Sequence, residues 1–192
     1  MPKRIIVAVS GASGMPYALG LIRALSAMPG MELHGIVSDA ARQVCRYETK
    51  LDPAELVAGF HVLHDAADIA APPASGSWPH DGMVVCPCSM STLAAIACGA
   101  GTNLIHRAAD VTLKERRTLL LVPRETPLST IHLENMLRVR QAGAVIMPPC
   151  PGFYHRPQTL DDLVQQFVGR MLEQLRLPHD LYRRWGEAPH SS

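Results

Sequence analysis

The sequence predicts an α/β protein: a doubly wound parallel sheet with helices on both faces, hence three layers. Two observations carry this prediction. Short β-branched apolar runs alternate with longer segments of helical periodicity. The strand runs are apolar at successive positions, as in parallel strands that are buried on both faces. The length of 192 residues fits one domain better than two.

Each predicted strand is a short run of Val, Ile and Leu that ends in Gly, Ser or Pro, and each predicted helix repeats apolar residues every three or four positions. In chain order the strands cover residues 5–9, 32–38, 83–89, 118–125 and 144–149, and the helices that follow them cover 16–27, 40–48, 91–98, 131–141 and 160–175.

Two segments, 71–82 and 99–117, interrupt this alternation and are interpreted as loops. The first is rich in Pro, Ser and Gly, so it is either a mobile lid or a packed surface turn, and the sequence favours the turn. Residues 187–192 are expected to form a disordered tail, which leaves a single domain over residues 1–186.

Composition excludes several classes of function. The net charge of +1, with mixed signs, argues against a nucleic-acid-binding surface. No segment has the apolar length of a membrane span, and the N-terminal run is unlike a signal peptide. The five cysteines lack paired spacing, which fits a reduced compartment, and Cys86 and Cys88 are expected to be small core residues. We therefore expect a cytoplasmic protein whose partners are small molecules or copies of itself.

The glycine turn after the first strand, Gly11-Ala12-Ser13-Gly14, is a candidate anion site. Glycines permit a sharp turn and close approach to a ligand, and Pro16 suits the first turn of the following helix. The N-terminus of that helix would direct free N–H groups at an anion. The alternative is a tight strand-to-helix turn without a ligand.

Polar groups follow several predicted strands, and parallel strands bring such groups to one edge of the sheet. They are Ser10 to Ser13, Ser38, Ser89 and Thr92, Arg124 and Glu125, and Phe153 and Tyr154. A nicotinamide cofactor would need three-glycine spacing, which this turn lacks, although Asp39 is roughly placed for a ribose. FMN fits better, because it needs one phosphate site, several hydroxyls and a flat slot.

Two further features point to a second anion. Arg107 and Lys114 are seven residues apart and would share one face if their segment were helical, so that both could hold one phosphate. The alternative for Lys114 is a surface pair with Glu115 or Asp110. Arg116 and Arg117 are interpreted as a solvated corner. Tyr154 could donate a hydrogen bond to an anion, and the histidines show no metal-binding spacing.

Together, the motifs SGASG, PPASGS, PCS, NLIHRAADVTLKERR, LVPRETP, HLENML, GAVIMPP and GFYHRPQ closely resemble those of the UbiX-like flavin prenyltransferases, in family order and over nearly the whole chain. The resemblance implies a Rossmann- or flavodoxin-like, FMN-binding fold in a homododecamer with active sites where subunits meet. It also implies transfer of a dimethylallyl group from dimethylallyl monophosphate to N5 and C6 of reduced FMN, without a metal. The product, prenylated FMN, would serve a UbiD-like decarboxylase.

The resemblance also assigns site residues by position. The FMN contacts are Gly11, Ala12, Ser13, Ser38, Ser89, Met90, Ser91, Thr92 and Arg124. The substrate contacts are Ala74, Ser75, Gly76, Arg107, Lys114, Tyr154 and Arg170. The catalytic residues are Glu48, Glu125, Lys114, Tyr154 and Trp185.

The chain departs from the family pattern at Met15, Pro16, Ala18 and His106. Two alternatives remain: an FMN carrier that delivers cofactor to a decarboxylase, and an FMN-dependent decarboxylase of cysteine-type substrates. The second class is marked by a P-x-M-N-x-x-M-W motif, which this chain lacks.

Overall fold

A computed structural model describes residues 2–186, in which six strands form one parallel sheet in the order β3-β2-β1-β4-β5-β6. The strands are β1 (Lys3–Val9), β2 (Met31–Val37), β3 (Val62–His64), β4 (Gly82–Cys88), β5 (Thr118–Pro123) and β6 (Val145–Ile146). The helices are α1 (Met15–Ser26), α2 (Asp39–Glu48), α3 (Pro53–Val57), α4 (Met90–Cys98), α5 (Leu104–Lys114), α6 (Thr130–Gln141) and α7 (Leu160–Gln174), with a 3₁₀ turn at Pro72–Ala74.

The strand order confirms the doubly wound topology. From β1 the chain moves outward through β2 and β3, then returns to β4 on the other side of β1 and moves outward again. Ligands of such sheets bind beyond the carboxyl ends of the strands where the order reverses. The turns after β1 and β4 lie at this position.

Alternate residues of the strands fill two apolar layers, which gives the three-layer arrangement. Ile5 and Val7 face the layer that α1 and α7 cover, whereas Ile6 and Ala8 face the layer that α4 and α5 cover. All four are at most 1% exposed. The β-branched runs are therefore buried on both faces, as parallel strands require.

All ten predicted elements are present, but the prediction of a loop over residues 99–117 was wrong. This segment contains α5, which begins after Asn103, whose side chain accepts a hydrogen bond from the N–H of His106. Its buried residues, Leu104, Ile105, Ala108, Ala109, Val111 and Thr112, follow helical spacing. Glycines precede this helix and charged residues follow it, so the segment resembles a loop in sequence, although packing of its buried residues stabilises a helix.

Two short elements were also missed. α3 has five residues and β3 has three, and both lie at the edge beyond β2, where little apolar surface marks them. Segment 71–82, predicted as a packed turn, lies along α5. Its Trp78 ring stacks under the guanidinium of Arg4, 4.6 Å from the ring centroid, and meets the His34 ring edge-on. The predicted tail, 187–192, lies outside the described residues.

None of the helices within residues 2–186 combines the length and the apolar character needed to cross a bilayer. Cys86 and Cys88 are fully buried, as predicted, and burial raises the pKa of the Cys88 thiol to about 12. Both thiols are therefore kept protonated, as expected for packing residues rather than reactive ones.

The turn after β1 packs tightly against α2, and this predicts the effect of a single methyl group. A Cβ at Gly11 would lie 2.5 Å from the Cβ of Ala40. We expect Gly11→Ala to cost about 1–3 kcal/mol through overpacking, and to lower the melting temperature by several degrees.

The double variant Gly11→Ala/Ala40→Gly removes the opposing methyl and serves as the matched control. It should melt above Gly11→Ala, although glycine in α2 costs up to about 1 kcal/mol by itself. If the double variant instead loses the sum of the stabilities lost by the two single variants, the Gly11–Ala40 contact is not what makes Gly11→Ala unfavourable.

Candidate active site

The glycine turn binds an anion, which is the carboxylate of the protein's own Glu48 rather than a ligand. The N–H groups of Gly14 and Met15 donate to Oε2 of Glu48, at 2.8 and 2.9 Å. Gly14 has a φ of 116°, a left-handed conformation that favours glycine. The carboxylate at the end of α2 therefore satisfies the N-terminus of α1, so the two helices are joined at the edge of the sheet.

The same contacts set the charge of Glu48. Partial burial raises the pKa of its carboxyl, but the hydrogen bonds from the Ser13 hydroxyl and from the N–H groups of Met15 and Gly14, with Arg124 nearby, outweigh this effect. The pKa lies below its ordinary value, and the carboxyl is ionised at neutral pH.

A cluster of hydroxyls forms where β4 meets α4. Ser10 donates to the carbonyl of Pro87 at 3.0 Å and accepts from the N–H of Ser89 at 2.8 Å, so it joins the β1 and β4 turns. The Oγ of Ser89 accepts from the N–H of Thr92 and lies 3.0 Å from the hydroxyl oxygens of Ser91 and Thr92. A helix N-terminus with three hydroxyls is a suitable place for a phosphate.

Arg124 places a positive charge between these turns. Its N–H bonds to the carbonyl of Cys88 and its guanidinium Nε donates to the carbonyl of Ser13, at 3.3 and 3.4 Å. Within residues 2–186 it forms no ion pair at salt-bridge distance, so most of its donors are available to a ligand. Glu125 follows it and is exposed.

We call this set the rim cluster: Ser10, Ser13, Ser38, Glu48, Ser89, Ser91, Thr92 and Arg124. Ser38 caps α2 through the N–H of Ala41 and lines a cavity of about 670 Å³ with Arg42, His64 and Asn103. A second cavity, of about 380 Å³, lies between the glycine turn and the start of α7, lined by Tyr17 and Glu48 among others. The rim cluster thus lies between two spaces of ligand size.

Lys114 and Gly76 form a separate group, which we call the α5 cluster. Lys114 ends α5 and pairs with Glu115, and the pair lies on the bare backbone of Gly76, where a Cβ would be 2.6 Å from Nζ. Arg117, predicted as part of a solvated corner, instead donates to the carbonyls of Gly76 and Trp78, at 2.9 Å each. That prediction was wrong, because the loop offers carbonyls that the guanidinium satisfies.

Arg107 and Lys114 lie on one helix, but no contact within residues 2–186 brings their charges together. Seven residues correspond to about 10 Å along the axis. Arg107 pairs with Asp110 at 2.7 Å, and Lys114 pairs with its own neighbour. The departure at His106 is local, since its Nδ1 accepts from the N–H of Thr102 before α5.

Tyr154, Arg170 and Trp185 form a third group, which we call the α7 cluster. The Trp185 ring meets the Tyr154 ring edge-on, with centroids 5.4 Å apart, and is 80% exposed. Arg170 lies on α7 and pairs with Glu173. Among residues 2–186, no hydrogen bond, ion pair or ring contact links this cluster to the rim cluster or the α5 cluster.

Topology explains the separation of Lys114 from the rim cluster. Lys114 ends a helix that returns to the start of β5, so it lies at the amino edge of the sheet, whereas Arg124 follows the end of β5 at the carboxyl edge. One protomer therefore holds two of the expected groups at opposite edges. As for metals, the described part of the chain contains no group of three or more His, Cys, Asp or Glu side chains able to hold an ion.

Comparison with known proteins decides the family. The family model described as Flavoprotein matches residues 1–172. The flavin prenyltransferase UbiX of Salmonella typhimurium is 51% identical over 185 residues, which cover 95% of this chain and 98% of the relative. The chain belongs to the UbiX-like flavin prenyltransferases.

Two solved UbiX-like structures share the fold over nearly the whole chain. AnUbiX (PadA1), crystallised with FMN and dimethylallyl pyrophosphate, has a TM-score of 0.92 and 46% identity, covering 98% of this chain and 100% of that one. A dodecameric FMN-dependent UbiX-like decarboxylase from Escherichia coli O157:H7 has a TM-score of 0.93 and 47% identity, covering 96% and 100%. These matches confirm the Rossmann- or flavodoxin-like fold expected from the motifs.

Sequence reasoning missed the roles of two charged residues that organise these clusters, Arg117 and Glu173, whereas the pair of Lys114 with Glu115 was one of its two alternatives for Lys114. Glu173 lies one helical turn after Arg170, so the spacing itself was a usable signal. Arg117 gave no such signal, because its acceptors are backbone carbonyls about forty positions earlier in the chain.

The Glu48 cap predicts a pH-dependent contribution to stability. Because the folded-state pKa is lowered, the contribution is present above the unfolded pKa, near 4.5, and is lost as pH falls through the folded value. We expect Glu48→Gln to be destabilised at pH 7 by about 1 kcal/mol or less, with the gap from wild type narrowing below pH 4.5. Denaturant titrations at pH 7 and pH 4 measure this, and a gap of constant size would argue against the charged cap.

Proposed function

We propose that this chain joins the dimethylallyl group of dimethylallyl monophosphate to reduced FMN and so makes prenylated FMN for a UbiD-like decarboxylase. Family membership over almost the entire chain carries the proposal. The three clusters support it, because the reaction needs one site for FMN and another for the phosphate of the prenyl donor. A simple FMN carrier would have no use for the second site.

The rim cluster fits FMN. The α4 N-terminus with Ser89, Ser91 and Thr92 would hold its phosphate. Among the described residues, no carboxylate lies at salt-bridge distance from Arg124, so its guanidinium could also bind the ligand. The α1 N-terminus is already bound to Glu48, so it would contribute the shape of the glycine turn rather than a phosphate site. When bound and reduced, FMN supplies N5 and C6 as the positions that receive the prenyl group.

We infer that the prenyl phosphate site is shared between copies of the chain. Lys114 lies across the sheet from the rim cluster, and a dodecameric relative shows that this fold assembles. Exposed apolar side chains on α6, among them Ile131 and Leu137, also favour association. We propose a homo-oligomer in which Lys114 of one copy meets the rim cluster of another. The dodecameric relative supports a dodecamer as its size.

The residues would act mainly through electrostatics. Lys114, Arg170 and Tyr154 would stabilise the charge that develops on the departing phosphate, an effect of about 3 kcal/mol for each well-placed donor. The exposed face of Trp185 would stabilise the allylic cation. Glu125 would relay the proton released at ring closure to the departing phosphate.

We assign Glu48 a positioning role. An ionised carboxyl that already accepts hydrogen bonds from the glycine turn is a poor proton donor at neutral pH. It would instead keep Ser13 and the turn in place beside FMN. Ala74 and Ser75 precede Gly76 at the α5 cluster, where we place the loop that bounds the prenyl chain, with Arg107 as an additional cation.

Three further proposals follow. We propose that no metal takes part, because lysine and arginine donors hold a single phosphate. We propose a cytoplasmic location, for which the five unpaired cysteines give support. We also propose that one flavin-binding domain covers residues 1–186.

Mass spectrometry of the flavin tests the function directly. The protein is incubated anaerobically with reduced FMN and dimethylallyl monophosphate in the presence of EDTA. We expect the released flavin to gain one five-carbon unit. Unmodified FMN from protein shown to bind it would favour a carrier, and a gain that requires added magnesium would contradict metal independence.

A complementation experiment tests the shared site. Lys114→Ala and Arg124→Ala should each lose most activity, the first through the prenyl phosphate and the second through FMN. If the two residues act in one site from different copies, co-expressed chains carrying one change each should regain part of the wild-type rate. Arg116→Ala, a change of the exposed neighbouring charge, is the control for Lys114. Full inactivity of every mixed oligomer would place both residues in the same copy.

A further inference from the structure

The carboxylate of Glu173 ties the end of the described chain to α7. Oε1 of Glu173 accepts hydrogen bonds from the Tyr182 hydroxyl at 2.9 Å and from Nε of Arg184 at 3.0 Å, while Oε2 pairs with Arg170. The ring of His179 lies beside it, with Nε2 3.4 Å from Oε1. Glu173 therefore connects one residue of the α7 cluster with the segment that carries another.

The contact surface around this carboxylate is closely packed. His179 and Tyr182 stack with ring centroids 5.4 Å apart and lie against Gly169. A Cβ at Gly169 would be 2.5 Å from Cδ1 of Tyr182 and 2.7 Å from Cε1 of His179, so only glycine admits the segment at this distance. The His179 side chain is 2% exposed. Segment 178–185 is thus fixed onto the outer face of α7.

The position of Trp185 depends on this attachment. Trp185 is 80% exposed, and its one ring contact within residues 2–186 is the edge-on approach to Tyr154. The residue immediately before it, Arg184, bonds to Glu173, so this carboxylate helps to hold the backbone that carries Trp185 close to α7.

Glu173 is charged and leaves Arg170 usable. Partial burial raises the pKa of its carboxyl, but hydrogen bonds from Tyr182 and Arg184, with the charge of Arg170, bring the pKa below its ordinary value. The ion pair uses NH1 of Arg170. The guanidinium also hydrogen-bonds Tyr182, and those of its five N–H donors that neither partner uses remain for an anion such as a phosphate.

We propose that Glu173 is the positioning residue for the donor end of the active site: it orients Arg170 toward an allylic monophosphate and, through Tyr182 and Arg184, holds Trp185 at Tyr154. The proposal rests on the function proposed above, which assigns Arg170, Tyr154 and Trp185 to that donor. It adds Glu173, which is not one of those three residues, and it explains why segment 178–185 is held against α7.

Steady-state kinetics separate positioning from simple stabilisation. Loss of hydrogen bonds to a charged group corresponds to about a tenfold change or more. We expect Glu173→Ala to raise KM for dimethylallyl monophosphate about tenfold while the Kd for FMN stays unchanged. Glu173→Gln retains an oxygen acceptor for Tyr182, so its KM for dimethylallyl monophosphate should lie between those of wild type and Glu173→Ala. Asp161→Ala, which removes an exposed carboxylate from the first turn of the same helix, should match wild type.

Limited trypsin digestion of the intact oligomer tests the attachment without any assay of activity. Cleavage after Arg183 and Arg184, identified by the mass of the shortened chain, requires segment 178–185 to detach. Glu173→Ala should be cleaved several times faster than wild type or Asp161→Ala, because local opening controls such cleavage.

The two measurements together decide the proposal. Faster cleavage with an unchanged KM would show an anchor with no role in donor binding, and would overturn it. Unchanged cleavage in Glu173→Ala would overturn it as well. If wild-type protein makes no prenylated flavin, the proposed function fails, and digestion still reports whether Glu173 holds the segment.

Discussion

The parallel sheet is the constraint on which the rest of the structure depends. Because all six strands run the same way, every residue that follows a strand reaches the carboxyl edge, and every residue that ends a connecting helix reaches the amino edge. Arg124 and Ser89 belong to the first kind and Lys114 to the second. A reaction that needs both kinds at one ligand therefore requires contact between copies of the chain.

Charge at the carboxyl edge is arranged by hydrogen bonding. Glu48 satisfies the N-terminus of α1, and this leaves the hydroxyl-rich N-terminus of α4 and the guanidinium of Arg124 for an outside anion. The N-terminus of α1 is therefore occupied by the Glu48 carboxylate, whereas the N-terminus of α4 is open to a ligand. In the proposed function the flavin phosphate would bind at the N-terminus of α4, and the ring would extend from there.

The sequence predicted the sheet and most of the rim because both depend on local patterns. Ile5 to Val9 and Val84 to Cys86 mark buried strands by composition, and parallel topology then brings Ser10, Ser89 and Arg124 together. It did not predict α5, whose flanking glycines and charges resemble a loop. Nor did it predict that Arg117 binds the carbonyls of Gly76 and Trp78, or that Glu48 caps α1, since these contacts join residues far apart in sequence.

The three cations assigned to the prenyl phosphate share one further property. Arg107, Lys114 and Arg170 each pair with an acid no more than three residues away, namely Asp110, Glu115 and Glu173. Exposed pairs of this kind contribute about 1 kcal/mol or less to stability, so they are a weak explanation of the fold. In the proposed shared site they would reduce repulsion among cations gathered around one phosphate, and each cation would keep N–H donors for the ligand. The paired acids would therefore allow a cationic site to form without a large excess of positive charge, in a chain whose net charge is +1.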